Sequence, residues 1–214
     1  MNQDLSNKRQ VYQKKELLET QVPENPIELF RTWYTDAEQE ELGEANAMTV
    51  STVGSDMQPV NRVVLLKRYT WEGFVFYTNY ESQKAMAMLE NPKVCLSFHW
   101  SRTERQIIIN GEVEKLAENL SDGYFESRPR GSQLGAWASE QSKTIASREM
   151  MDRKLAEFEK QFEGKEIPRP IHWGGYLVKP TRIEFWQGRP NRMHDRIRYT
   201  LQPDYNWKIE RIQP

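Results

Sequence analysis

The stretch that decides the fold is Lys93-Val-Cys-Leu-Ser-Phe-His-Trp100, Ser101-Arg-Thr-Glu104, Arg105-Gln-Ile-Ile-Ile-Asn-Gly-Glu-Val-Glu-Lys-Leu116. It reads as two strands, 93–100 and 105–116, joined by a turn over 101–104. The run Ile107-Ile108-Ile109 is too continuous for a half-exposed strand, so it is expected to be covered on both faces. Before it, 47–53 is rich in Val and Thr, 59–69 holds the run Val63-Val64-Leu65-Leu66, and 73–78 alternates aromatic and aliphatic residues. A short helix over 82–90 begins with Ser82 as its cap and ends before Asn91-Pro92. After it, 118–163 turns helical, with Leu155, Phe158 and Phe162 at helical spacing within 152–162. Strands then return at 175–179, 182–187, 195–201 and 207–212. Strands at short spacing with grouped helices predict a mainly β, antiparallel barrel with peripheral α-helices.

A further helix is expected from Asn25. Asn25 caps it, Pro26 suits its first position and Glu28 completes a capping-box-like pattern. Phe30, Trp33, Tyr34 and Ala37 fall on one face, and Gly43 is the expected stop. Residues 1–24 lack clean periodicity and carry balanced charges. They are expected to form a mobile arm with a short helical piece around 8–18, leaving 25–214 as a single domain.

Composition narrows the function. Thirty Lys and Arg stand against 31 Asp and Glu, a formal charge of −1, which weighs against a globally basic nucleic-acid binder. Seven Trp, nine Tyr and eight Phe supply buriable surface that disordered chains lack. The lone Cys95 cannot form a disulfide within the chain, so a reducing compartment is expected, with Cys95 a small core residue. The polar stretch 1–10 shows no secretory signal, and the longest aliphatic run is far short of a membrane span of about 20 residues. A cytoplasmic globular protein is expected.

There is no G-x-G-x-x-G, Walker A, C-x-x-C, H-E-x-x-H or G-x-S-x-G sequence, and His99, His172 and His194 lie far apart. No metal is expected, and catalysis would belong to an organic cofactor. Cations sit on or beside apolar strands: Arg62 and Lys67, Lys84, Arg105, Arg128 and Arg130, and the group Arg189, Arg192, Arg196 and Arg198, opposed in its segment only by Asp195. Each alone reads as a solvated edge charge. Together they favour anion binding, with Thr78, Ser132, Gln141 and Ser142 as neutral donors. Arg192 and His194, two apart on an expected extended segment, would face the same way. Trp186 reads as core packing.

Several motifs in order make the chain resemble the pyridoxine/pyridoxamine 5′-phosphate oxidase family. They are Arg62-Val-Val-Leu-Leu-Lys67, Phe76-Tyr-Thr-Asn79, Glu104-Arg-Gln106, Tyr124-Phe-Glu-Ser-Arg-Pro-Arg130, Gly135-Ala-Trp137, Gln141-Ser142, Trp173-Gly-Gly175, Ile183-Glu-Phe-Trp-Gln-Gly188 and Arg192-Met-His-Asp-Arg196. The resemblance implies a Greek-key-like antiparallel split β-barrel that binds FMN, and a homodimer with FMN sites at the subunit interface. It implies oxidation of pyridoxine or pyridoxamine 5′-phosphate at C4′ by hydride transfer to the flavin, which dioxygen reoxidises with release of hydrogen peroxide.

Carried over by position, Arg62, Lys84 and Ser142 would hold the FMN phosphate or ribityl chain. The segment Val63, Val64, Leu65, Leu66 and Lys67, with Tyr77, Thr78, Gln83, Gln106, Gln141, Trp186 and Arg196, would complete the flavin site. Lys67, Tyr124, Arg128 and Ser132 would grip the substrate phosphate. Arg192 and His194 would lie on the substrate ring as the catalytic pair, and Arg9 and Tyr12 match an arm that can cover the site. Gln83-Lys84 stands where the family commonly has Arg-Lys, which implies weaker FMN binding. Gln10 and Val11 replace an Arg-Glu pair of bacterial members, which bears on closure of the arm. The competing readings are a split-barrel flavoprotein reductase with another acceptor, a non-catalytic flavin or pyridoxal-phosphate carrier, and a nucleic-acid-binding barrel using the basic patches.

Overall fold

The computed structural model describes residues 3–214; the first two residues of the expected arm lie outside the described residues. In chain order the elements are α1 (Pro26–Glu40), β1 (Ala47–Val53), β2 (Pro59–Leu65), β3 (Arg68–Thr70), β4 (Gly73–Asn79), α2 (Gln83–Glu90), β5 (Lys93–Trp100) and β6 (Arg105–Lys115). They continue with α3 (Glu118–Glu126), α4 (Arg130–Ala138), α5 (Arg148–Gln161), β7 (Trp173–Gln187), β8 (Asp195–Leu201) and β9 (Trp207–Arg211). The strands hydrogen-bond in the order β2-β1-β5-β6-β7-β4-β3, with β8 on β7 and β9 on β8. The pairs β3–β4, β4–β7, β7–β8 and β8–β9 are antiparallel.

The chain forms two compact units, 1–48 with 96–110 and 181–214, and 49–95 with 111–180. The first has an aromatic core. Phe30 packs edge-on against Phe98 at 5.3 Å, Trp33 against Phe185 at 5.2 Å, and Phe185 against Tyr199 at 5.7 Å. The Tyr199 hydroxyl donates to the Pro23 carbonyl at 2.8 Å, satisfying its one polar atom. α1 supplies Phe30 and Trp33 because its apolar residues recur at helical spacing, and Asn25 caps it by accepting from the Ile27 N–H at 2.9 Å. The helix ends at Glu40, before Gly43. The second unit packs Phe125, Leu134, Phe162, Ile167 and Trp173 together, with Leu155 and Phe158 of α5 against them.

Four expectations are corrected. The helical piece around 8–18 is non-helical: its backbone N–H groups at Gln13 and Lys14 donate to the Glu104 carboxylate and that of Leu17 to Asp195, instead of to the preceding turn. The strand expected over 59–69 breaks at Leu66-Lys67, where Leu66 turns inward and the Lys67 N–H bonds to the Val75 carbonyl at 2.8 Å. Strands 175–179 and 182–187 are one strand, β7, which accommodates Pro180. Ile107 and Ile109 are fully buried while Ile108 is half-buried, so β6 alternates.

Candidate functional site

Two pockets collect most of the candidate residues, one in each unit. In the second unit a cavity of about 660 Å³ is lined by Arg62, Val63, Val64, Leu65, Lys67, Tyr77, Thr78, Lys84, Tyr124, Arg128, Pro129, Ser132, Gln141, Ser142 and Trp173. β4 delivers Tyr77 and Thr78, opposite Gly175 and Gly174 of β7. A side chain at Gly175 would come within 2.8 Å of the Tyr77 ring, so the glycine is what lets that ring lie against β7. Tyr77 stacks on Tyr124 at 3.9 Å and on Trp173 at 5.5 Å. The Arg128 guanidinium lies over the Trp173 ring at 4.5 Å.

Among the described residues, the cations of this wall pair with no carboxylate. Lys84 is buried at the start of α2, and its ammonium donates to Thr78 Oγ1 at 2.9 Å, Ser82 Oγ at 3.1 Å and Gln141 Oε1 at 2.7 Å, all neutral. Burial, with the positive charge of Arg62, pushes its pKa down to about 8. Arg128 Nη1 is buried and has no hydrogen-bond partner. Burial lowers the Arg128 pKa as well. Arg62 donates to the adjacent Asn61 carbonyl at 3.0 Å. Ser142 holds a left-handed backbone, φ 74°, and its hydroxyl accepts from the Gln83 N–H at 3.2 Å. A buried ammonium held by neutral oxygens and a buried guanidinium nitrogen without a partner, set in a concave wall, suit phosphate, which supplies the missing countercharge and several acceptors. The residues present therefore fit a phosphorylated cofactor and a phosphorylated substrate.

In the first unit a pocket of about 570 Å³ is lined by Lys8, Arg9, Gln10, Val11, Tyr12, Trp186, Arg189, Asn191, Arg192 and His194. Trp186 and His194 lie 4.6 Å apart, and the Tyr12 ring meets both edge-on at 5.7 and 5.8 Å. Trp186 thus forms a pocket wall, not only core. His194 Nδ1 accepts from the Arg189 N–H at 3.1 Å, so the neutral ring carries its proton on Nε2. Burial and then the Arg192 charge lower its pKa, favouring that neutral form. The expected extended geometry of 192–194 is corrected: residues 190–192 form a 3-10 turn, with Asn191 at φ 57° and Arg192 at φ 61°. Both side chains still reach the same pocket.

The remaining candidates lie outside these walls. Leu66 is buried. Gln83 is exposed on the first turn of α2. Gln106, in the first unit, donates to Ser97 Oγ at 3.4 Å. Arg196 pairs with Glu184 at 2.7 Å. Sequence reasoning gives no site role to Trp173, for which the aromatic followed by two glycines in Trp173-Gly-Gly175 is the signal; Ser82, expected to cap α2, makes no side-chain cap bond and instead donates to the Asn79 carbonyl at 2.7 Å and accepts from the Lys84 ammonium.

Strands β1–β9 with five helices among the described residues make the mainly β, split-barrel class, carrying a cation-lined pocket. A family described as "Pyridoxamine 5'-phosphate oxidase" matches residues 34–162, and one described as "Pyridoxine 5'-phosphate oxidase C-terminal dimerisation region" matches 173–214. The chain is 60% identical over 212 residues to a pyridoxine/pyridoxamine 5'-phosphate oxidase of Flavobacterium psychrophilum, covering 99% of each. It is 53% identical to one of Christiangramia forsetii, covering 100% of each. The structure is similar to PhzG from Burkholderia lata, solved with tetrahydrophenazine-1-carboxylic acid, with TM-score 0.85, 28% identity and coverage of 91% of this chain and 95% of that one. An FMN-binding protein of Nostoc punctiforme shares the fold at TM-score 0.71 and 14% identity, covering 90% of this chain and 100% of that one. The chain belongs to the pyridoxine/pyridoxamine 5′-phosphate oxidase family.

Proposed function

We propose that the protein uses FMN and dioxygen to convert pyridoxine and pyridoxamine 5′-phosphates to pyridoxal 5′-phosphate, releasing hydrogen peroxide. The observation that carries this reading is Arg128 Nη1, buried, unpartnered and set in a wall with Lys67, Lys84 and Arg62. FMN, when bound, supplies the two-electron acceptor for the substrate C4′ carbon and passes the electrons to dioxygen. Arg62, Lys84 and Ser142 hold the FMN phosphate or ribityl chain, with Thr78 and Gln141 fixing the Lys84 ammonium. Lys67, Tyr124, Arg128 and Ser132 grip the substrate phosphate and so orient its ring. Arg192 lies against that ring and stabilises its charge. His194, neutral with its proton on Nε2, donates a hydrogen bond to the C4′ substituent.

The dimerisation-region match over 173–214 supports a homodimer, with FMN sites at the subunit interface as the proposed arrangement. A cytoplasmic location is proposed from the single cysteine. No helix among the described residues is long and apolar enough to cross a membrane. The test is a spectrum of the purified protein in the flavin bands, then peroxide release on adding pyridoxine phosphate. A yellow protein that makes peroxide supports the oxidase. Yellow protein without turnover of either vitamer phosphate would instead favour the carrier or a reductase with another acceptor.

A further inference from the structure

Glu104 belongs to a sequence motif but to neither pocket wall, and its conformation is unusual. Its backbone is left-handed at φ 57°, a region that a non-glycine residue enters at a cost. In that pose its carbonyl accepts from the Gly188 N–H at 2.7 Å and the Gln187 side-chain amide at 3.2 Å. One oxygen of its carboxylate, Oε2, accepts from two successive backbone N–H groups, Gln13 at 2.9 Å and Lys14 at 3.0 Å. The Lys14 ammonium adds a bond to the nearby Arg102 carbonyl.

Those two amides directly follow Tyr12, whose ring lies on Gly188. A Cβ at that glycine would come within 2.7 Å of the ring. Residues 8–11, which precede the tethered amides, are exposed. Among the described residues, the first hydrogen bonds of the arm to the rest of its unit therefore directly follow the residue that covers Trp186 and His194. We propose that Glu104 is a positioning residue: its carboxylate clasps the arm at Gln13 and Lys14 and so holds Tyr12 and Arg9 against the His194 pocket. The consequence for turnover rests on the oxidase reading given above, whereas the clasp itself does not.

A carboxylate accepting two backbone N–H groups at a partly exposed site is strong enough to shift the attached and detached populations of the arm about tenfold. Cleavage of a transiently opened segment follows that population. Glu104→Gly is the decisive variant, because glycine adopts the left-handed backbone freely while removing the carboxylate. Glu104→Gln keeps a neutral oxygen acceptor.

Limited trypsin digestion, with cleavage sites read by mass spectrometry, should show cutting after Lys14 or Lys15, at the clasp itself, about tenfold faster in Glu104→Gly, and intermediate in Glu104→Gln, with the melting temperature of Glu104→Gly not lowered. KM for pyridoxine phosphate should rise several-fold while kcat stays within about twofold, since the arm contributes to holding substrate. Arm cleavage at the native rate in Glu104→Gly would overturn the clasp. Faster cleavage with unchanged KM would overturn its role in substrate binding. A native protein that releases no peroxide would overturn the oxidase reading, and with it the KM claim, leaving the digestion to decide the clasp alone.

Discussion

Four arginines of the first unit and the cations of the second unit's pocket differ in what neutralises them. Arg105 meets Asp36 at 2.7 Å, Arg196 meets Glu184 at 2.7 Å, Arg198 meets Glu210 at 3.1 Å, and Arg211 meets Asp195 at 2.8 Å. Among the described residues, Arg62, Lys67, Lys84 and Arg128 form no ion pair at all, although Arg169 of the same unit pairs with Asp122. A cation that has its carboxylate serves the fold. A buried cation left facing neutral oxygens is unfavourable by itself and becomes favourable only with an anion that the chain does not supply. The contrast sorts the crowded group 189–198, which by sequence seemed opposed by Asp195 alone, into mostly structural pairs.

The sharpest break of this contrast is a pair of alanine substitutions read by urea unfolding. Arg105 is buried, stacks on Trp33 at 4.3 Å and donates to Gln187 at 3.0 Å besides pairing with Asp36. Arg105→Ala should destabilise by about 3 kcal/mol, through lost packing and stranded partners. Arg128→Ala loses the stacking on Trp173 but also relieves the penalty of the buried, unpartnered Nη1, so the two offset and stability should change by less than about 1 kcal/mol. Equal losses would erase the distinction. Arg128→Ala should instead weaken the binding of phosphorylated substrate by roughly 1.5–3 kcal/mol, the value of a charge-assisted hydrogen bond, with flavin content unchanged. Loss of flavin with normal substrate affinity would move Arg128 to the cofactor.

Lys84 gives the contrast a pH signature. Its folded pKa, about 8, lies below the ordinary lysine value. Between that value and roughly 10.4 the unfolded chain holds more protons, so the free protein gains stability with rising pH in that window; below it the buried charge is a full penalty. A bound phosphate dianion reverses the preference and keeps Lys84 protonated. FMN affinity should therefore be level from about pH 7 to 8 and then fall by up to about tenfold per pH unit. Titrations of apo-protein from pH 7 to 9.5 check this. A flat profile would mean that the ammonium does not face the phosphate.

Much of the fold was legible because it is local. β1, β5 and β8 run over the residues that their composition and turns mark, and the cap at Asn25 forms as its chemistry requires. The failures have long-range causes. The arm is extended because carboxylates 91 and 178 residues away take its N–H groups, which no window of sequence reveals. The turn at 190–192 has its signal in Pro190-Asn191, a proline that presets φ before a residue that tolerates the left-handed region. The pocket walls followed from motif order, yet the sequence could not distinguish Arg128, left without a partner, from Arg196, paired with Glu184.

The smallest expected effect lies at the edge of the unpaired set, at Gln83. Its backbone N–H reaches Ser142 Oγ at 3.2 Å, which ties the first turn of α2 to a residue of the pocket wall. Its side chain is exposed and outside that wall. An arginine there would add a long, forked donor able to reach toward a phosphate held near Ser142 and Lys84. Being solvent-screened, it should tighten FMN binding by only about 1 kcal/mol, less than a buried charge-assisted bond. The helix N-terminus opposes a cation by a few tenths of a kcal/mol, too little to change the sign. Because the added charge is exposed, the gain should shrink as salt shortens the screening length, whereas the contribution of buried Lys84 should persist. Titrating apo Gln83→Arg with FMN at low and high salt separates the two: a gain that survives high salt would place residue 83 inside the desolvated pocket, and no gain at low salt would place it out of reach of the phosphate.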